Sequence, residues 1–209
     1  MHGPSSDVSE RLLVDLPDVR VMGLLHGASN YTFLTRLGPH PPSGLRAVYK
    51  PARGESPLWD FEAGTLYQRE VAAYELSKVL GWPRIPPTVV REKAPHGVGA
   101  MQLFIEADGR HFLGESTARA ETWVRVALFD VKLRTVMWEF SGDPLPGELC
   151  GDVERALVEL ERGPLRETMQ RLISQGELRA LRRRLRGVLL PQWRFPEPTS
   201  AWSIPWPPV

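Results

Sequence analysis

The first third of the chain alternates short apolar runs with turn residues. Val19 to Leu25, Tyr31 to Leu37 and Leu45 to Lys50 are separated by Gly27-Ala28-Ser29-Asn30 and by a Gly/Pro stretch, a pattern that predicts three successive antiparallel strands. From Pro51 to Gly64 the chain is rich in Pro, Gly and acidic residues and reads as a loop, with Thr65 placed to cap the next helix. Leu66 to Leu80 has helical spacing: Leu66, Ala73, Leu76, Val79 and Leu80 share an arc, Glu70 sits at its edge, and Gly81 is positioned to end the helix. Arg69 falls inside that apolar arc with no evident reason. Two more strands are expected near Thr88 to Arg91 and Gly99 to Ile105, leading into a connector at Glu106-Ala107-Asp108-Gly109.

Beyond the connector the period changes to that of helices, over Thr117 to Phe140, Asp152 to Arg162, Leu165 to Ser174 and Gly176 to Leu189. The expected architecture is α+β: an N-terminal β lobe (1–106) of about five antiparallel strands with one helix, then a reduced helical lobe (107–209). The segment from Pro191 to Val209, rich in Pro and carrying Trp193, Trp202 and Trp206, suits an extended strand of chain anchored by its indoles.

Composition narrows the function classes. The 209 residues are 42% hydrophobic and 24% charged with a formal net charge of +1, which is ordinary for a globular chain and gives no global reason to expect a nucleic-acid partner. No apolar run is long enough to span a membrane, and Met1 to Asp15 lacks the pattern of a secretory signal, so the expectation is a cytosolic protein with a frayed N-terminal tail. Cys150 is the single cysteine, and His2, His26, His40, His96 and His111 show no metal-ligand spacing. The basic stretch Glu177 to Leu190 reads as a helix whose leucines pack and whose arginines are hydrated, rather than as a lipid or nucleic-acid contact.

One constellation carries chemistry. A small-residue loop, Gly27-Ala28-Ser29-Asn30, lets backbone amides approach phosphate oxygens; Lys50 on a later strand neutralises them; and Glu70 on the next helix holds the lysine. Taken singly the signals are weak, since a glycine such as Gly27 is more often just a hairpin residue and a lysine before proline, as Lys50 is, more often a solvated strand end.

In order along the chain, Val48-Tyr49-Lys50-Pro51, Leu58-Trp59-Asp60-Phe61, Gly64-Thr65-Leu66, Arg69-Glu70-Val71-Ala72-Ala73-Tyr74 and Gly81-Trp82 resemble the actinobacterial phosphatidylinositol 3/4-kinase-like proteins. The likeness continues in Pro86-Pro87-Thr88, Gln102-Leu103-Phe104-Ile105, Phe129-Asp130, Lys132-Leu133-Arg134-Thr135-Val136 and Pro205-Trp206-Pro207-Pro208. The resemblance implies a fold distantly similar to lipid kinases and HipA-type kinases. It implies ATP between the lobes, with Gly27, Ser29, Asn30, Lys50 and Glu70 at the phosphates and Gln102, Phe104 and Ile105 leading to the adenine-binding hinge.

Two family motifs have no counterpart here. The catalytic Asn-Asn-Ala-Asp-Arg-Lys and the Ile-Asp-His-Gly metal site are absent, since Val131 runs directly into Lys132-Leu133-Arg134-Thr135. Asn30 is the chain's only asparagine and precedes Lys50, and only His111 follows the hinge. Asp130, Asp143 and Asp152 remain, the first within a helical pattern and the others flanking turns where caps are usual. The expectation is an ATP-dependent phosphotransferase by family that is impaired in transfer and lacks its magnesium ligands. The alternatives are a pseudokinase or interaction module that binds no nucleotide, and a gap that arose in a defective gene copy or in the recorded sequence.

Overall fold

The structure is a computed structural model that describes residues 6–25, 30–39, 44–58, 61–82, 85–105 and 141–195. The helical pattern from Thr117 to Phe140, with Asp130 and His111, lies outside the described residues, as do Trp202 and Trp206. The described residues divide into two compact units: one holds those up to Tyr74 and from Ile85 to 105, the other Glu75 to 82 and 141–195.

The first unit is built on a five-stranded sheet in the order β1-β2-β3-β5-β4. Its strands are β1 (Arg20–Leu24), β2 (Phe33–Leu37), β3 (Leu45–Pro51), β4 (Thr88–Arg91) and β5 (Gly99–Leu103). Every neighbouring pair is antiparallel. In β3 the residues alternate strictly: Ala47, Tyr49 and Pro51 are buried on one face, while Arg46, Val48 and Lys50 are half-buried on the other. The buried face gathers Leu37, Ala47, Tyr49 and Met101 with Leu13.

Leu13 belongs to helix α1 (Ser6–Asp15), where the sequence suggests only a frayed tail. The helix packs on β4 and β5. Its stop is supplied from a distance: Arg91 donates through Nη1 to the Leu13 carbonyl (2.6 Å) and through Nη2 to that of Leu16 (2.7 Å), satisfying carbonyls that a helix end leaves open. Tyr74 adds a hydrogen bond to Glu10 at 2.6 Å. A short stretch is held here by long-range partners, which local periodicity does not report.

Helix α2 spans Leu66–Leu80, as the spacing predicts, but presents a different face. The buried residues are Tyr67, Val71, Ala72, Tyr74, Leu76, Ser77 and Leu80, whereas Leu66, Ala73 and Val79 are only half-buried. Two tyrosines are thus on the buried face, and the polar Ser77 is buried with its hydroxyl bonded to the Trp82 carbonyl. Arg69 has a local explanation: its guanidinium donates to the Thr65 carbonyl and hydroxyl and lies 4.5 Å over the Phe61 ring.

The second unit contains α3 (Gly147–Arg162), α4 (Pro164–Leu172) and α5 (Gln175–Val188). Leu149, Val153, Ala156 and Leu160 form the buried stripe of α3, and Leu178, Leu181, Leu185 and Val188 that of α5. Pro164 occupies the first turn of α4, where its missing N–H costs nothing. Ser174 and Glu177 form a reciprocal capping box on α5. Leu178, Leu181 and Leu185 of the basic stretch are buried as expected, and Arg182 and Arg186 reach back to the Leu160 carbonyl and the Glu161 carboxylate.

Because α3 starts at Gly147, Asp152 lies inside a helix and not beside a turn. It accepts from the buried Trp82 indole N–H at 2.8 Å and from Arg155 at 2.6 Å. At the start of the proline-rich segment the fully buried ring is Phe195, with the half-buried Trp193 packed edge-on against it. Backbone bonds from Gly142 and to Asp143 hold Phe195 in place.

Candidate functional site

Lys50 lies in β3, a strand flanked on both sides, opposite Ala100 of β5. Its side chain rises from the sheet face opposite the Tyr49 core. One step along the ladder Pro51 faces Gly99, where an added Cβ would run into the Lys50 carbonyl oxygen, so this register requires glycine.

From α2, Glu70 meets the lysine: Nζ to Oε2 is 2.7 Å, with the two side chains 30% and 34% exposed. The pair is therefore in partial contact with water, and ion pairs in such settings contribute only about 0–1 kcal/mol to stability. What it does provide is a fixed ammonium, held at one point above the sheet with hydrogens to spare for an anion.

The structure treats the other residues of the expected site differently. Gly27 and Ser29 lie outside the described residues. Asn30 turns its side-chain oxygen onto the Ser56 amide at 2.8 Å, so it braces the loop after β3. Gln102 shares the Lys50 face by the alternation of the sheet, and its amide donates to Thr88 Oγ1 at 2.9 Å. Phe104 bonds the Arg46 carbonyl through its N–H and carries the Arg46 guanidinium 4.8 Å above its ring. Ile105 is exposed. The structure thus joins Lys50 to Glu70, gives Gln102 the same face, and ties Asn30 to other work.

Two features have no signal in the sequence pattern. Arg20 faces Arg36 and Arg36 faces Arg46 in the ladders, so three arginines occupy consecutive register positions on the Lys50 face. The cap of α2 is supplied by Glu55, whose carboxylate accepts from the amides of Leu66 (2.8 Å) and Tyr67 (2.7 Å). Thr65, the expected cap, donates its hydroxyl to the Glu62 carbonyl instead. An acid eleven residues ahead of a helix leaves no trace in helical periodicity.

Among the described residues no three His, Cys, Asp or Glu side chains converge as a metal site. His96 lies 4.6 Å from the Phe33 ring in a stacked arrangement. No described helix is long and apolar enough to cross a membrane.

The five-stranded antiparallel sheet with its helices makes a kinase-like fold. The crystal structure of the Golgi casein kinase matches it with a TM-score of 0.51 at 15% identity, over 88% of this chain and 75% of that one. No protein-family model matches the chain. The chain belongs to the family of Protein Rv2133c of Mycobacterium tuberculosis (strain ATCC 25618 / H37Rv), to which it is 30% identical over 91% of its own length and 92% of that protein's. That alignment extends over 261 positions for a chain of 209 residues, so within the aligned span the mycobacterial protein has residues that this chain lacks.

Proposed function

We propose that this chain is a phosphatidylinositol 3/4-kinase-like protein that binds ATP through Lys50 and is impaired in transferring its phosphate. The observation that carries the reading is the Lys50–Glu70 pair at 2.7 Å, on the antiparallel sheet of a kinase-like fold. A pair this exposed contributes little to folding, which favours a role in placing charge. Lys50 supplies the cation for phosphate oxygens, and Glu70 limits the rotamers it samples. Arg20, Arg36 and Arg46, on the same face, add to a potential that attracts anions. When bound, ATP supplies a transferable γ-phosphoryl group. The impairment is supported by the missing catalytic and metal motifs, and by the alignment in which the mycobacterial relative is the longer partner.

The test is a thermal-shift titration of the full chain with ATP, with and without Mg²⁺. Binding at a hundredfold excess over Kd stabilises the folded state by about 2.7 kcal/mol, which for a chain of this size raises Tm by roughly 5–10 °C. Lys50→Ala should abolish the shift while lowering Tm itself by only a few degrees. No shift in a folded sample would remove the nucleotide reading.

A second reading, an interaction module, has one observation in its favour. The edge strand β1 is exposed along its whole length, including Val21, Met22 and Leu24, and Tyr31 beyond it is exposed too. Persistence of a partner complex with Lys50→Ala, in the absence of any ATP shift, would favour it.

A further inference from the structure

A single carboxylate joins the two elements that carry the pair. Glu55 comes directly after the short 3-10 turn Ala52–Gly54 that continues from β3, five residues past Lys50. Its two oxygens accept from Leu66 N and Tyr67 N, the first amides of α2. Those amides have no partner within the helix, and a negative charge there is favoured by the helix dipole, so both bonds are charge-assisted.

Leu66 is four residues before Glu70 and therefore on the same helix face, one turn away. A shift of the clamped turn is transmitted rigidly to Glu70, whose carboxylate must stay within hydrogen-bond reach of Lys50. The next residues tie in a third element: Ser56 N donates to Asn30 Oδ1 at 2.8 Å, and Tyr31 N donates to the Gly54 carbonyl at 3.0 Å. The end of the β1–β2 connection, the end of β3 and the start of α2 thus meet at Gly54-Glu55-Ser56.

We propose that Glu55 is a positioning residue that sets the register of α2 on the sheet and so keeps Glu70 on Lys50. The inference rests on the proposed role of that pair in binding phosphate, but its test needs no nucleotide. The Lys50 amine is labelled with an amine-reactive acylating reagent in the full chain, and its rate is read by peptide mass spectrometry.

Glu70→Ala defines the rate for an unpaired Lys50. Glu55→Ala should raise the wild-type rate roughly fivefold, the factor expected for loss of a helix cap, and toward the Glu70→Ala value. Glu55→Gln, which keeps one acceptor and the side-chain volume, should fall between, and it decides the matter if Glu55→Ala does not fold. Val153→Ala in α3 serves as the control for general destabilisation and should label as wild type. Wild-type labelling in both Glu55 variants overturns the proposal, as does an equal rise in Val153→Ala. ATP protection of Lys50 in the wild-type chain is scored separately, so failure of the nucleotide reading shows as absent protection with the Glu55 effect intact.

Discussion

Tyr49 shows how one side chain serves both core and loop. Its ring is fully buried in the face covered by α1, and its hydroxyl donates to the Gly97 carbonyl in the β4–β5 connection. Burial pushes the phenol above its ordinary value, partly offset by a backbone hydrogen bond at His96. Folding therefore favours the neutral form. The stability this gives is whole below about pH 10, the ordinary phenol value, and is lost as pH rises through the raised native value. Tyr49→Phe should flatten the alkaline loss of stability in that window, measured by urea denaturation, while costing about 1 kcal/mol at neutral pH for the lost bond. At Arg91, burial pulls the guanidinium below its usual value, with Asp15 opposing. It stays charged and caps α1, so Arg91→Leu should cost on the order of 3 kcal/mol, with Arg91→Lys recovering only part for want of the planar fork.

Among the elements, the leucine stripe of α5 agrees with the sequence pattern, whereas Ser174, read from periodicity as the end of the preceding helix, instead caps α5 in a box with Glu177. Ser174→Ala should cost about 1 kcal/mol in denaturant unfolding, the usual loss for an N-cap. In contrast, α1 and the buried face of α2 depend on residues remote in sequence, so periodicity alone misses the first and rotates the second. At the C-terminal end of α2, Arg155 donates to the carbonyls of Val79 and Leu80, and Trp82 is held by Asp152. Asp152→Ala would leave a buried indole N–H without its acceptor and should cost about 1–3 kcal/mol. Asp152 is legible in the sequence only as a turn acid, because the partner that explains it lies seventy residues earlier in the chain.

For the whole molecule, the proposed function predicts binding without turnover. With ATP and Mg²⁺ the chain should release no ADP above a Lys50→Ala control and transfer no labelled γ-phosphate to itself or to phosphatidylinositol vesicles. An intact mass from the host well above 23.6 kDa would instead point to a longer native chain and restore the expectation of catalysis.

The sequence by itself determined the strand order along the chain, the bounds of α2, the positions of the three later helices and the candidacy of Lys50 and Glu70. These rest on period-two and period-3.6 patterns, turn residues and the order of a few charged groups, all of them local. Only the tertiary structure decided which carboxylate caps α2, which arginine stops α1, that Asn30 braces Ser56, and that Glu70 comes within 2.7 Å of Lys50. The reason is physical. Hydrogen-bonding capacity is written in residue types, but partners are chosen by which groups the packed sheet and helices bring within about 3 Å, and that distance exists only in the folded chain.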